Sequence, residues 1–466
     1  MKIKIQLVLE SENDQSNEIH VEDVIELDKK LEDQSDIGLS LNESKELLSG
    51  IQKKIIKAQI EEYIRQNECC AICNKKMRSK GHHTIKYRTL FGNINVKSPR
   101  FYNCKDCHNG KATFSPLKNL IQDHNSPELK YLETKWASLI SFGMSVKLLK
   151  NVLPIDSKFN TVTLRNHLHD VAERDEANLG EENHMYASGC INEIESLPKP
   201  DGPIIVGIDG GYVKDAANKQ NHFEVIVGKS IPRDKPTKCF GFVQCHDTKP
   251  KRRLYEMLKS QGMQMNQQIT FLSDGGETVR DLQLYMSPEA EHILEWFHIT
   301  MRITVLNQFI KGLIKINQES GEKIQKDMES AKWYLWHGNV ERALEKLEDV
   351  IFQCEEDFEK TYPQYGKLER HLDDFFTYIT NNRLYITDYG ERWRNGERIS
   401  TGFVESTVND VINKRYNKKQ QMQWSKRGAH LLLQTRTRVL NKELAEMFRV
   451  WYPNFQINDE ESENAA

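Results

Sequence analysis

The sequence predicts an α/β core interrupted by an all-helical insertion and preceded by a cysteine-rich module. Three observations carry this. From residue 203, short apolar runs alternate with one helical stretch, and two of those runs end in Asp-Gly-Gly. Residues 299–392 then carry apolar positions at helical spacing with many Lys and Glu and few Pro. Near the start, Cys70-Ala-Ile-Cys73 and Cys104-Lys-Asp-Cys107 form two CxxC pairs.

The bounds come first. A chain of 466 residues suits two to four domains. It is 38% apolar and 29% charged, the balance of a soluble globular protein. No apolar run approaches the roughly 20 residues of a membrane span, so no membrane partner is expected. The opening MKIKIQLVLESEND alternates and then turns acidic, which reads as a strand and not as an export signal. A cytoplasmic, nucleoid-associated location is therefore expected. The nine cysteines are an odd number, and five lie between Cys69 and Cys107, which favours a metal over disulfides.

The formal net charge of -3 conceals an uneven distribution. Residues 1–62 hold 15 acids against 8 bases, residues 63–120 hold 12 bases against 2 acids, and residues 411–442 hold 9 bases and no acid. Two basic blocks in a near-neutral chain suit a polyanion partner.

In order, residues 1–66 read as a strand and acidic helices, the last over 43–66. Residues 67–120 read as a zinc ribbon-like module. Each CxxC turn brings two thiolates to one ion, and two turns complete a tetrahedral site. Between them a hairpin is expected around Phe91-Gly92-Asn93. Cys69 could replace Cys70, and His82, His83 or His108 could replace one ligand. A closed four-ligand zinc site holds a module together and does not catalyse. Its bases, Arg78, Arg88 and Arg100 among them, make it a candidate DNA contact. Residues 121–180 read as helical, with a helix-turn-helix possible around Arg165, His167 and His169. Residues 181–202 read as a linker.

In residues 203–298 the expected order is strand, strand, strand, helix, strand, helix, and a strand over 292–298. Asp209 ends the first strand and Asp274 the fourth. An Asp-Gly pair alone would equally open a hairpin turn. With the first strand beside the fourth, the two carboxylates project towards one point. After the helical insertion, residues 393–450 return to the core: Gly402 opens a helix with Glu405 in its first turn, leading into a basic helical block. Residues 451–466 read as an acidic, disordered tail.

Two Asp and a Glu form a set of hard oxygen ligands suited to Mg²⁺ or Mn²⁺. Three carboxylates share a site as anions only if cations neutralise them. Two ions about 4 Å apart can clamp the attacking and leaving oxygens of a phosphoryl transfer. Asp209 is assigned as the bridging ligand, Asp274 to one ion and Glu405 to the other. In the last block, Lys414, Arg415, Lys418, Lys419, Lys426 and Arg427 are candidate phosphate contacts. Trp424 either stacks on an unpaired base or packs in the core.

The blocks GIDGGYVK, FLSDGG with the following LEWFHITMR, and GFVESTVNDVINKRYNKKQQMQWSKRGAHLLLQTRT resemble DDE transposases of bacterial insertion sequences, most nearly the ISKra-type group. The resemblance runs from about Cys70 to Leu440. It implies an RNase H-like catalytic core with a helical insertion before the last catalytic Glu. It also implies metal-dependent cleavage of double-stranded DNA at element ends and joining of a 3′-hydroxyl to target DNA, by a homodimer or higher oligomer on DNA. Asp209, Asp274 and Glu405 match the family's three acids, and His298 matches a histidine common after the second Asp. Glu295 stands where relatives often carry Asp. The competing readings are an RNase H-like nuclease without strand transfer, an inert zinc-ribbon DNA-binding protein, and a redox role for the CxxC pairs.

Overall fold

The computed structural model describes residues 1–10, 19–104, 107, 113–182, 196–198, 200, 202–218, 220–286, 290–417 and 422–457. The chain divides into two compact units, Met1–Glu173 with Lys442–Ala466, and Arg174–Asn441.

In the first unit, β1 (Lys2–Glu10) and β2 (Ile19–Asp28) pair antiparallel. Helix α1 (Leu41–Gln66) opens with a capping box: Glu43 N–H donates to Ser40 Oγ (3.3 Å) and Ser40 N–H donates to Glu43 Oε2 (2.7 Å). Its Ile56 and Ile60 pack in one core with Ile85, Ile94 and Val96. Those three residues lie on the antiparallel strands β3 (Ser79–Thr89) and β4 (Gly92–Tyr102). Gly92, at φ +113°, supplies the positive φ at the turn between them. Strand β5 (Thr113–Phe114) completes the sheet beside β4. Helices α2 (Leu117–Leu120), α3 (Pro127–Leu139), α4 (Phe142–Val152) and α5 (Thr161–Asn178) follow.

The helices expected over 121–180 are present, with a connection before α5 longer than that of a helix-turn-helix. Residues 153–160 separate α4 from α5, well beyond the three or four residues of such a turn. His167 does not face outward: it is buried and bonds the buried Glu133. The C-terminal boundary also moves. Residues 442–450, expected with the core, belong to this unit, where Phe448 packs edge-on against Tyr131 at 5.5 Å. That pairing joins residues distant in sequence, so no local pattern encodes it.

The second unit is built on a five-stranded sheet of β6 (Ile204–Lys214), β7 (His222–Ile231), β8 (Lys238–Val243), β9 (Ile269–Ser273) and β10 (Glu291–Leu294). Across the sheet the order is β10-β9-β6-β7-β8. The first three strands form an antiparallel meander, while β9 runs parallel to β6 and β10 parallel to β9. The first strand therefore lies beside the fourth, as expected. Helices α6 (Pro250–Ser260) and α7 (Glu277–Met286) bury one face: Leu254, Leu258 and Leu282 form one core with Val206, Ile208 and Phe271.

Two local expectations fail. Strand β6 does not end at Asp209; it continues through Gly210 and Gly211 to Lys214, paired throughout with β7. Asp-Gly is thus no turn here, because ladder pairing outweighs the local turn preference. The strand expected over 292–298 stops at Leu294, and Trp296 starts helix α8 (Trp296–Ile314). A short apolar run is ambiguous between the two periods, and Ile299 and Ile303 show that the helical one wins.

Helix α8 is followed by α9 (Gln318–Trp336), α10 (Val340–Phe358) and α11 (Tyr365–Asn382), with α11 packing back on α8. Their buried Ile310, Met328, Leu347 and Phe375 share one core with Leu272 and Ile293 of the sheet. The insertion is thereby fused to the sheet and not merely tethered to it. After α12 (Tyr389–Arg394), helix α13 (Gly402–Val408) returns to the sheet. A π-helical segment, Asn409–Asn417, extends it, and α14 (Lys426–Leu440) and α15 (Leu444–Trp451) are the last helices among the described residues. No helix among the described residues is long and apolar enough to cross a membrane.

Candidate active site and metal centres

Asp209 sits in mid-strand between Gly207 and Gly211, all three on one face of β6 by the period of two. A Cβ on Gly207 would overlap Val404 and Phe403 of α13, and one on Gly211 would lie 2.8 Å from Ile412 Cδ1. The two glycines therefore let the last helical segment lie directly on β6, which brings Glu405 over Asp209. Strand β9 pairs with β6 through Gly207 and Leu272, so two residues further the same register sets Asp209 level with Asp274. Asp274 follows the last residue of β9 and precedes two glycines, where its carboxylate is exposed.

The electrostatics follow. Burial raises the Asp209 carboxyl above its ordinary range. The Gly210 N–H, 2.7 Å from Oδ1, opposes this, the charge on Asp274 adds to it, His298 opposes it, and Glu405 adds to it. One half-buried carboxylate thus responds to all three other expected site residues. The oxygens of the trio are nevertheless not among the groups whose ligand atoms all lie within 4.8 Å of one another. Three carboxylates with no cation between them repel one another, which opposes closer approach.

Two further carboxylates neighbour the trio, one not legible as a site residue and one only faintly so. Glu224 on β7 is raised by burial and then by the charges on Asp274 and Asp209. Its Oε1 would lie 2.7 Å from a Cβ on Gly210. Nothing local marks it; only strand pairing brings it there. Glu295, weakly suspect from sequence, is fully buried and joins two elements. Its Oε2 accepts from Thr401 N–H at 2.9 Å, at the start of α13, and its Oε1 meets His298 Nδ1. One carboxylate therefore ties His298 to the helix that carries Glu405.

The basic block divides. Arg415 is completely buried, and Trp424 is 5% exposed, packed on Tyr416 at 4.9 Å and under the Arg415 guanidinium. Trp424 N–H also donates to Lys214 O at the end of β6. Arg415, expected as a phosphate contact, instead packs inside, and of the two readings open for Trp424 the core one holds. Lys414 is exposed and pairs with Asp410, and Lys426 and Arg427 are exposed. Lys418 and Lys419 lie outside the described residues. In the first unit Arg78 and Arg100 are exposed and Arg88 is half-buried.

Cys70, Cys73, Cys104 and Cys107 converge, with sulfurs all within 4.8 Å of one another. A tetrahedral zinc with bonds of about 2.3 Å holds its ligands about 3.8 Å apart, and Cys73 Sγ and Cys104 Sγ are 3.7 Å apart. The donor set thus fits structural Zn²⁺. Hydrogen bonding to Cys73, then burial and Cys104, push the Cys107 thiol up to about 12. A cation binding this set must displace that proton. Cys69, His82 and His83 stand outside the cluster, and His108 lies outside the described residues.

Glu176, Asp247 and His430 also offer ligand atoms within 4.8 Å of one another. Arg253 occupies their midst. It donates from Nε to Asp247 (2.9 Å) and from both Nη atoms to Glu176 (2.8 and 3.0 Å). Burial would raise Glu176, but hydrogen bonds from His430 and Arg253 and their charges hold it at about 2. A cation is already built into this cluster.

No protein-family model matches the chain, and no curated protein matches it.

Proposed function

We propose that the chain is a DNA transposase of the DDE type, acting through an RNase H-like core. The observation that carries the reading is the assembly of Asp209, Asp274 and Glu405 from two neighbouring strands and a helix laid over them, with His298 beside Asp209. The sheet order supports the core assignment: an antiparallel meander of three strands, with the fourth and fifth parallel to the first. The position of the helical insertion, between Asp274 and Glu405, supports it too.

Two Mg²⁺ or Mn²⁺ ions, when bound, would activate the attacking oxygen and stabilise the leaving one. Asp209, Asp274 and Glu405 would hold them. His298 orients the scissile phosphate, itself fixed by Glu295. A water oxygen, and then a freed 3′-hydroxyl, attacks phosphorus as the opposite P–O bond breaks and its oxygen takes up a proton. The exposed Lys414, Lys426 and Arg427, and the ribbon's Arg78, Arg88 and Arg100, neutralise phosphates of double-stranded DNA. Cutting two element ends together needs two such sites, hence a homodimer or higher assembly on DNA.

The test is cleavage of labelled DNA bearing the sequence that flanks the gene, in Mg²⁺, Mn²⁺ or EDTA. Cuts at flanking repeats, dependent on metal and lost in Asp274→Asn, are expected, together with joining to a second duplex. Cutting without joining would move the assignment to a nuclease. Binding without cutting under every condition would leave an inert DNA-binding protein.

A further inference from the structure

We propose that the helical insertion is part of the active site: Tyr378 and Asn382 of α11 are positioning residues that clamp the turn bearing Asp274. This rests on the reading of Asp274 as a metal ligand. Asp274 lies beyond the last paired residue of β9, and Gly275 and Gly276 follow it. Two glycines carry the largest backbone entropy, so a carboxylate in that position needs outside support to stay in one place.

The support comes from α11. Tyr378 Oη donates to the Asp274 carbonyl oxygen at 3.1 Å. One turn on, Asn382 is 5% exposed, and its Nδ2 donates to the Tyr378 carbonyl at 2.9 Å. Its Oδ1 accepts from Arg280 Nη2 at 2.7 Å, and the same Nη2 donates to Gly275 O at 3.2 Å. Gly275 has φ +94°, and a Cβ there would overlap the Asn382 amide. The amide thus fills the space that the missing side chain leaves. Arg302 lies over the Tyr378 ring, 4.3 Å from its centroid, and fixes it from the α8 side. Beneath the turn, Gly275 N–H donates to Ser273 Oγ at 3.1 Å.

The peptide group after Asp274 is therefore held at both its oxygen and its N–H, and Glu295 N–H donates to Ser273 O of the preceding one at 3.0 Å, while the carboxylate is exposed and accepts from Gly276 N–H at 3.2 Å. This is how a ligand is preorganised: its backbone is constrained and its donor atoms stay available. Outer partners of this kind typically change metal affinity 10- to 100-fold. The insertion's place between the second and third acids then has a mechanical reason, because it carries the clamp for the one while leading the chain back to the other.

Mn²⁺ binding by the full chain, read by electron paramagnetic resonance and calorimetry, tests this without any DNA reaction. Asp274→Asn should abolish the site's Mn²⁺ binding. Asn382→Ala should weaken it about tenfold. Asn382→Asp should restore most of it, since an oxygen still accepts from Arg280. Tyr378→Phe, which keeps the ring under Arg302, should weaken it about threefold, a smaller loss for one hydrogen bond, with an unchanged Tm. If Asp274→Asn abolishes binding while Tyr378→Phe and a folded Asn382→Ala bind like the wild type, the clamp has no positioning role. An equal loss in Asn382→Ala and Asn382→Asp with no change in Tyr378→Phe would overturn it also. If Asp274→Asn binds normally, the metal-site reading itself fails, and this proposal goes with it.

Discussion

The cysteine cluster and the carboxylate trio are both metal-suited sets, yet they are assembled in opposite ways. The four sulfurs come from two short turns, converge within 4.8 Å, and form a closed set. The three acids come from residues 209, 274 and 405, stand on separate elements, and stay apart. The first set gathers the turn before β3 and the turn after β4 at the hairpin's open end. The second is organised by a fold already complete, through glycines that admit α13 and an insertion that pins a turn. Structural metals and reacting metals should therefore fail differently when their ligands are changed. The third cluster, around Arg253, completes the contrast: its cation is a side chain.

The largest effect should come from breaking the closed set. Cys104→Ser, or zinc removal by a strong chelator, should cost the ribbon on the order of 10 kcal/mol of metal-linked folding energy. Hydrogen exchange should then show β3 and β4 unprotected while β6 and β9 stay protected. Protection of both sheets without zinc would make the cysteine cluster dispensable.

Next comes the open set. Asp209→Asn should lower DNA cleavage at least about 10³-fold, roughly 4 kcal/mol of barrier, while its thermal unfolding stays at or above that of the wild type. Stability does not suffer because burial and neighbouring acids already raise this carboxyl, so the charge is a liability to the metal-free fold. A fall in Tm would argue that Asp209 is structural.

The Arg253 cluster predicts an acid transition. Glu176 is held at about 2 against an ordinary 4.5. The unfolded chain therefore binds the extra proton between these values, and the stabilisation is complete above about pH 4.5 and lost as pH falls through about 2. The contribution is roughly 3 kcal/mol. Glu176→Gln should flatten stability against pH in that window, and an unchanged profile would dismiss the pairing.

Gly207→Ala should cost about 2 kcal/mol, because its Cβ meets Val404 and Phe403. Cleavage should fall with it as α13 lifts from β6. The mildest change is Glu295→Gln, which keeps one oxygen acceptor but loses the charge shared between His298 and Thr401 N–H. It should lower the cleavage rate about tenfold, close to 1.4 kcal/mol, with substrate binding unaltered. Equal effects on binding and rate would remove His298 from the reacting centre.

Much of this was legible beforehand. The CxxC spacing pointed to Cys70, Cys73, Cys104 and Cys107, since a local turn determines which sulfurs meet. The order of strands placed Asp209 beside Asp274, because a crossover through α6 returns the chain parallel to β6. The extent of β6 was misread, since the Asp-Gly turn signal is local and the pairing with β7 is not. Arg415 was placed on the surface from charge density, yet it is inside, beside Trp424, whose backbone is tied to the end of β6. Density of charge along a chain does not say which side of a helix faces water.

Features within reach of a few residues could be read from the chain alone: the helical run over 43–66, the four thiols, the apolar periods, and the glycines beside Asp209. How distant segments share a site came from the fold. It set Glu224 near the acids, gave Glu295 two partners from two elements, returned residues 442–457 to the N-terminal unit, and laid Tyr378 and Asn382 against the Asp274 turn. The physical reason is range. Propensity and spacing act along the backbone, whereas burial, charge and strand pairing act through space, between residues whose separation in the chain carries no signal.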